Sequence, residues 1–187
     1  SGSNGTNAVT IVAAADCTVV ASNLTVDVSA FSGVTAFDCG TNAVTLALWS
    51  DTGKTNTFKS GMYRAGIRVA SNATACASLT VTNLNAAAAL AVVGGTEAAG
   101  IGGNNGGESC GRVIIRGGAL TVQGGQYAAG IGGGDGGAGG TVRVSGGTVF
   151  AQGTIGSDIG NGARATGGAN IFTGGSICLA NGSVSRT

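Results

Sequence analysis

The chain has 187 residues, a formal net charge of +1, charged residues at only 9%, and neither histidine nor proline. That length fits one domain or one rod with a continuous core, and so few Lys and Arg provide no basic cluster for phosphate, so nucleic acid is not an expected partner. Without imidazole there is no Ser-His-Asp triad and no His-bearing zinc site, and the longest wholly apolar run, Ala86 to Val93, is too short to insert in a bilayer.

In chain order, the first strand-like segment is Ala8-Val9-Thr10-Ile11-Val12, uncharged and rich in β-branched residues. It is expected to stand outside the regular coils, in an N-terminal extension covering 1–16. Period-two alternation then predicts strands at Cys17 to Val20, Leu24 to Ser29, Ala43 to Leu48, Gly66 to Ala70, Leu79 to Thr82 and Leu90 to Val93. Over Asn85 to Val93 the run of alanines leaves a helix as the alternative. From residue 94 onward the composition changes, with 31 of the 38 glycines in that half. There Ala98-Ala99-Gly100-Ile101-Gly102-Gly103 returns 30 residues later as Ala128-Ala129-Gly130-Ile131-Gly132-Gly133, and again, eroded, as Ser157-Asp158-Ile159-Gly160.

Each copy is followed by two strand segments joined by a Gly-Gly corner, at 113–122, 142–151 and 170–179. Alternation places Ile115, Val144 and Phe172 in one inward column, Leu120, Val149 and Ile177 in a second, and Val122, Ala151 and Leu179 in a third. The repeat isoleucine also traces backwards: Phe37, Ile67, Ile101, Ile131 and Ile159 are separated by 30, 34, 30 and 28 residues. Self-similarity at this period marks a solenoid, whose units bury their apolar faces only by stacking on one another. The expected fold is all-β, a single parallel β-helix domain of about five coils over 17–187.

Cys76 and Cys110 each lie nine residues after the column isoleucine, so they are expected to stack and form a disulfide, with Cys17 and Cys39 as a second pair and Cys178 left over. Two bridges would imply an oxidising, extracellular setting. Asparagines 4, 23, 72 and 181 (Asn4, Asn23, Asn72, Asn181) stand in N-glycosylation sequons.

The Ala-Ala-Gly-Ile-Gly-Gly tract and its Gly-Gly strand pairs resemble the Gly-rich "AAGIGGG" repeat region of bacterial and algal surface proteins. The resemblance covers the chain well from about Gly94 and only loosely before it. It implies a right-handed parallel β-helix at the cell surface or outside the cell, with an adhesive, carbohydrate-binding or structural role.

No two carboxylates fall at matching positions on adjacent coils, so the sequence does not suggest a paired-carboxylate hydrolase, and no enzyme is expected. The stretch Gly132 to Gly137 carries one Asp, too few oxygen ligands for calcium, so neither metal nor cofactor is expected. Tyr63, Glu97 and Tyr127 each precede the column residue by four, which sets the two rings about 10 Å apart on one edge where a glycan could stack. The expected partner is a second copy of the chain. Neither terminus carries a charge cluster or proline to blunt a strand edge, and Ala8, Val9, Thr10, Ile11 and Val12 are expected to pair with another copy near Ile171 to Leu179, giving head-to-tail fibres.

Overall fold

The computed structural model describes residues 8–182, which form strands and turns and no helix. The chain winds as a three-faced parallel β-helix. One face consists of the two-residue strands Ile11–Val12, Phe37–Asp38, Ile67–Arg68, Ile101–Gly102, Ile131–Gly132 and Ile159–Gly160, paired in that order. A second face stacks Cys17–Ser22, Ala43–Trp49, Ser78–Asn83 and Arg112–Ile115, and a third stacks Thr25–Asp27, Asn56–Lys59, Ala89–Val93 and Ala119–Gln123. Thr141–Gln152 and Ala169–Leu179 each extend over both of these faces, turning the corner at a Gly-Gly pair whose second member, Gly147 or Gly175, has φ near +80° (82° and 83°).

The described residues form six rungs, one more than the repeat count suggests. The extra one is the N-terminal segment. Ile11–Val12 does not stand outside the coils: Ile11 pairs in parallel with Phe37 and so begins the isoleucine column. The eroded motif is also regular, since Ile159 pairs in register with Ile131. Residues 89–93 are strand, and Asn56–Lys59 is a strand that hydrophobic patterning passed over.

The inward columns run the length of the rod. Val19, Leu46, Val81, Ile115, Val144 and Phe172 are successive register partners, as are Val26, Phe58, Val92, Val122, Ala151 and Leu179. Leu46, Val81, Ile115 and Val144 are wholly buried, as are Phe37, Ile67, Ile101, Ile131 and Ile159 in the isoleucine column. Each such side chain contributes about 1.5–3 kcal/mol by leaving water, so stacking stabilises the rod. Asn56 interrupts a column of leucines but is satisfied: its Oδ1 accepts from the Leu24 N–H at 2.9 Å, and its Nδ2 donates to Trp49 O at 3.0 Å and Ser50 Oγ at 3.1 Å.

The repeat tract has a backbone explanation. Gly102, Gly132 and Gly160 share one position on successive rungs, with φ of 141°, 143° and 133°. A Cβ on Gly132 would lie 1.8 Å from Gly160 O, so a side chain there would force the rungs apart. The flanking backbone arches back on itself in each copy: the N–H groups of Ala99, Ala129 and Ser157 donate to the carbonyls of Gly103, Gly133 and Asn161 at 3.0, 3.0 and 2.9 Å. At the same column position the first three rungs carry Val12, Asp38 and Arg68.

Candidate functional site

Both ends of the rod expose the heads of the inward columns. At the last rung Phe172 is 41% exposed although the four residues preceding it in its column are fully buried. Ile177 and Leu179 are half-buried beside it. At the first rung Ile11, Val19 and Leu24 are half-buried. Among the described residues, Ile11–Val12, Cys17–Ser22 and Thr25–Asp27 pair on one side only, as do Ile159–Gly160 and Ala169–Leu179. This geometry corrects the expected docking. Ile11–Val12 lies on the face of Ile159–Gly160, while the strands that match Ile171 to Leu179 are Cys17–Ser22 and Thr25–Asp27. Val9 and Thr10 are exposed and Ala8 is half-buried against the core.

The Tyr63, Glu97 and Tyr127 edge is in register, since Ile67, Ile101 and Ile131 pair directly. Tyr63 is 43% exposed, and both Tyr63 and Glu97 have left-handed backbone, φ 69° and 65°. One face of the Tyr127 ring is taken: the Arg164 guanidinium sits 5.6 Å from its centroid, a cation–π contact.

A third feature was missed by the sequence reading. Arg68 is held between two carboxylates, its Nε donating to the Glu108 oxygens at 3.2 and 3.1 Å and Nη1 to the Asp38 oxygens at 3.1 and 3.2 Å. Hydrogen bonding to Glu108 above all, with the charge of Asp38, raises the pKa of the guanidinium further and keeps it protonated. Asp38 and Arg68 occupy one column position, a register signal the spacing contained; Glu108 arrives from a Gly-rich loop with no periodicity to announce it. Beside this triad lies a cleft of about 350 Å³ that runs across the first four rungs, with Thr10, Thr35, Arg64 and Asn104 on its walls.

No family model, curated protein or solved structure matches the chain.

The cysteines correct the expected bridges: Cys17, Cys39, Cys76, Cys110 and Cys178 are all free thiols. The rung register predicted for Cys76 and Cys110 is present in the flanking strands, where Arg112 pairs with Ser78. The turn at 72–75 nevertheless brings Cys76 back onto Ser71 as an antiparallel bridge and leaves it exposed, whereas Cys110 pairs with Ala70 and is buried. Cys39 is likewise buried and Cys17 exposed. Burial pushes the Cys39 thiol up to about 12, with the Asp38 carboxylate adding to it, and burial raises Cys110 as well.

Of the sequon asparagines, Asn4 lies outside the described residues. Asn23 Nδ2 donates to Asp51 at 2.8 Å, and Asn181 Nδ2 donates to Asp158 at 3.1 Å and to Gly153 O. Asn72 stands at an exposed turn with its Oδ1 accepting from the Thr74 and Ala75 N–H groups, and its Nδ2 has no partner among the described residues. Among the described residues no helix is long and apolar enough to cross a membrane, and no group of three His, Cys, Asp or Glu is placed to hold a metal ion.

Proposed function

We propose that this chain is an extracellular structural or adhesive rod that assembles head to tail into fibres. The observation that carries the reading is the exposure of Phe172 at the end of a column whose four central members are wholly buried. A second copy stacked on the last rung would continue every column. Phe172 would meet Val19 of the next copy, Leu179 would meet Val26, and Ile159 would meet Ile11, each pair apolar. The unpaired strand edges at the two ends would complete each other's ladders, satisfying donors and acceptors that a lone rod leaves to water. The contact is heterologous, so it propagates along the axis unless the twist closes it. The extracellular placement rests on the likeness of the repeat to surface proteins.

The test is Phe172→Asp, which puts a charge into the contact where burial without a partner is costly. Light scattering and electron microscopy should give fibres for the parent chain and monomers for the variant, with far-UV circular dichroism unchanged. A parent chain that stays monomeric at high concentration, or a folded Phe172→Asp that still polymerises, overturns the reading.

A further inference from the structure

The cleft beside Arg68 exists because the rungs differ in what covers them. From the fourth rung onward a Gly-rich loop follows each short strand, and the first of these loops reaches onto the third rung: Ala65 N–H donates to Asn104 Oδ1 at 2.8 Å, and Glu108 grips Arg68. The first three rungs lack such a loop, so the step leaves an open hollow with Val12 and Val34 on its lining and the loop as its wall. Its volume, about 350 Å³, falls in the range of small-molecule sites.

We propose that this cleft binds an uncharged polyhydroxylated ligand, the chemistry of a sugar ring, between Thr10, Thr35, Arg64 and Asn104. Asn104 is only 4% exposed, and its carboxamide is fixed by the bond from Ala65; its Nδ2 makes no hydrogen bond among the described residues and borders the cleft. That nitrogen reaches solvent, so it can donate to an acceptor from outside the chain. Arg64 is anchored through Nε to Gly33 O at 3.0 Å, and its terminal nitrogens have no acceptor among the described residues. Among the described residues neither threonine hydroxyl makes a hydrogen bond, and each can donate or accept.

Charge selects the class. Asp38 and Glu108 against Arg68 and Arg64 leave the surroundings neutral, and Arg68 already spends its donors on the two carboxylates. An anion would meet a triad with an excess carboxylate, and a cation would meet Arg64. Hydroxyl groups, which donate and accept together, match both kinds of wall, and the C–H face of a ring matches Val12 and Val34. This site is separate from the tyrosine edge, and because Thr10 and Val12 belong to the first rung, fibre formation would bring a second copy beside it.

Saturation-transfer NMR on the full chain, which reads binding in either assembly state, tests it with cellobiose, maltose and lactose as probes and glucuronate as the charged comparison. At least one neutral disaccharide should bind at millimolar concentration. Arg64→Ala and the near-isosteric Thr35→Val should each weaken it about tenfold, the loss of one hydrogen bond, while Tyr63→Ala leaves it unchanged. The proposal is overturned by no transfer to any neutral probe, by binding that survives both cleft substitutions, by loss confined to Tyr63→Ala, or by a preference for glucuronate.

Discussion

Gly132→Ala is the sharpest probe of why the repeat tract is glycine. Two costs add at this position. The backbone φ of 143° is one that L side chains rarely adopt, a strain of about 1–3 kcal/mol. The new methyl carbon would also stand 1.8 Å from Gly160 O, so the fifth and sixth rungs must part by more than an ångström. That movement stretches the bonds from Ile131 N–H to Asp158 O at 3.0 Å and from Gly133 N–H to Gly160 O at 2.9 Å. With each bond contributing about 0.5–1.5 kcal/mol net, the whole loss comes to about 2–6 kcal/mol. Gly53→Ala is the control: its φ is 77°, but nothing lies within 4 Å of the added carbon, so only left-handed strain of about 1–2 kcal/mol applies. Urea unfolding followed by circular dichroism should separate the two, at one fixed protein concentration because assembly stabilises by mass action. Equal losses for the two variants, or a loss under about 1 kcal/mol for Gly132→Ala, would refute the close-approach explanation.

Further outcomes follow from the core and the thiols. Ile131→Ala, mid-column with partners on both sides, should cost about 2–5 kcal/mol in the same unfolding assay. A thiol-reactive dye on the native protein should label Cys17, Cys76 and Cys178 quickly and Cys39 and Cys110 only on unfolding, as peptide mapping would report. The folded chain keeps Cys39 protonated up to about 12 while an unfolded thiol ionises near 9.0, so above that value the unfolded chain binds fewer protons. Stability should therefore be unaffected by this group below about pH 9 and fall by about 1.4 kcal/mol per pH unit through the window above it; Cys39→Ala should flatten that slope in a pH series of unfolding midpoints. Asn56→Leu should destabilise despite adding apolar bulk, because it strands the Leu24 N–H and the Trp49 carbonyl, and a stability equal to the parent chain would contradict the satisfied-amide account.

The solenoid was legible because its signals repeat. The inward columns through Ile115, Leu120 and Val122 emerge from period two, and the isoleucine spacing recovers the register of four rung pairs. Asn56–Lys59 was not legible because its inward positions are Asn56 and Phe58, and a polar residue there breaks the alternation that strand prediction uses. The N-terminal segment lacked the repeat motif, so Ile11 could not be aligned with Phe37 until the fold placed them together. Spacing gave the cysteines their rung but not their facing, which the turn at 72–75 decides. The cleft depends on a difference in loop cover between neighbouring rungs, a property of three dimensions that no single segment carries.

The direction of the ladder bonds sets how this rod bears load. In a parallel β-helix the bonds that join rungs point along the long axis, so a pull on the two ends stretches them one behind another instead of shearing many at once. Failure begins at whichever terminal rung is least well held and advances inward. Each rung that lets go frees a full coil of about 30 residues, roughly 100 Å of slack chain, before the next is strained. Compression meets a different resistance, since the column of Gly102, Gly132 and Gly160 already holds the backbones of successive rungs as close as a missing side chain allows. Such a rod is stiff when pushed and yields in steps when drawn out.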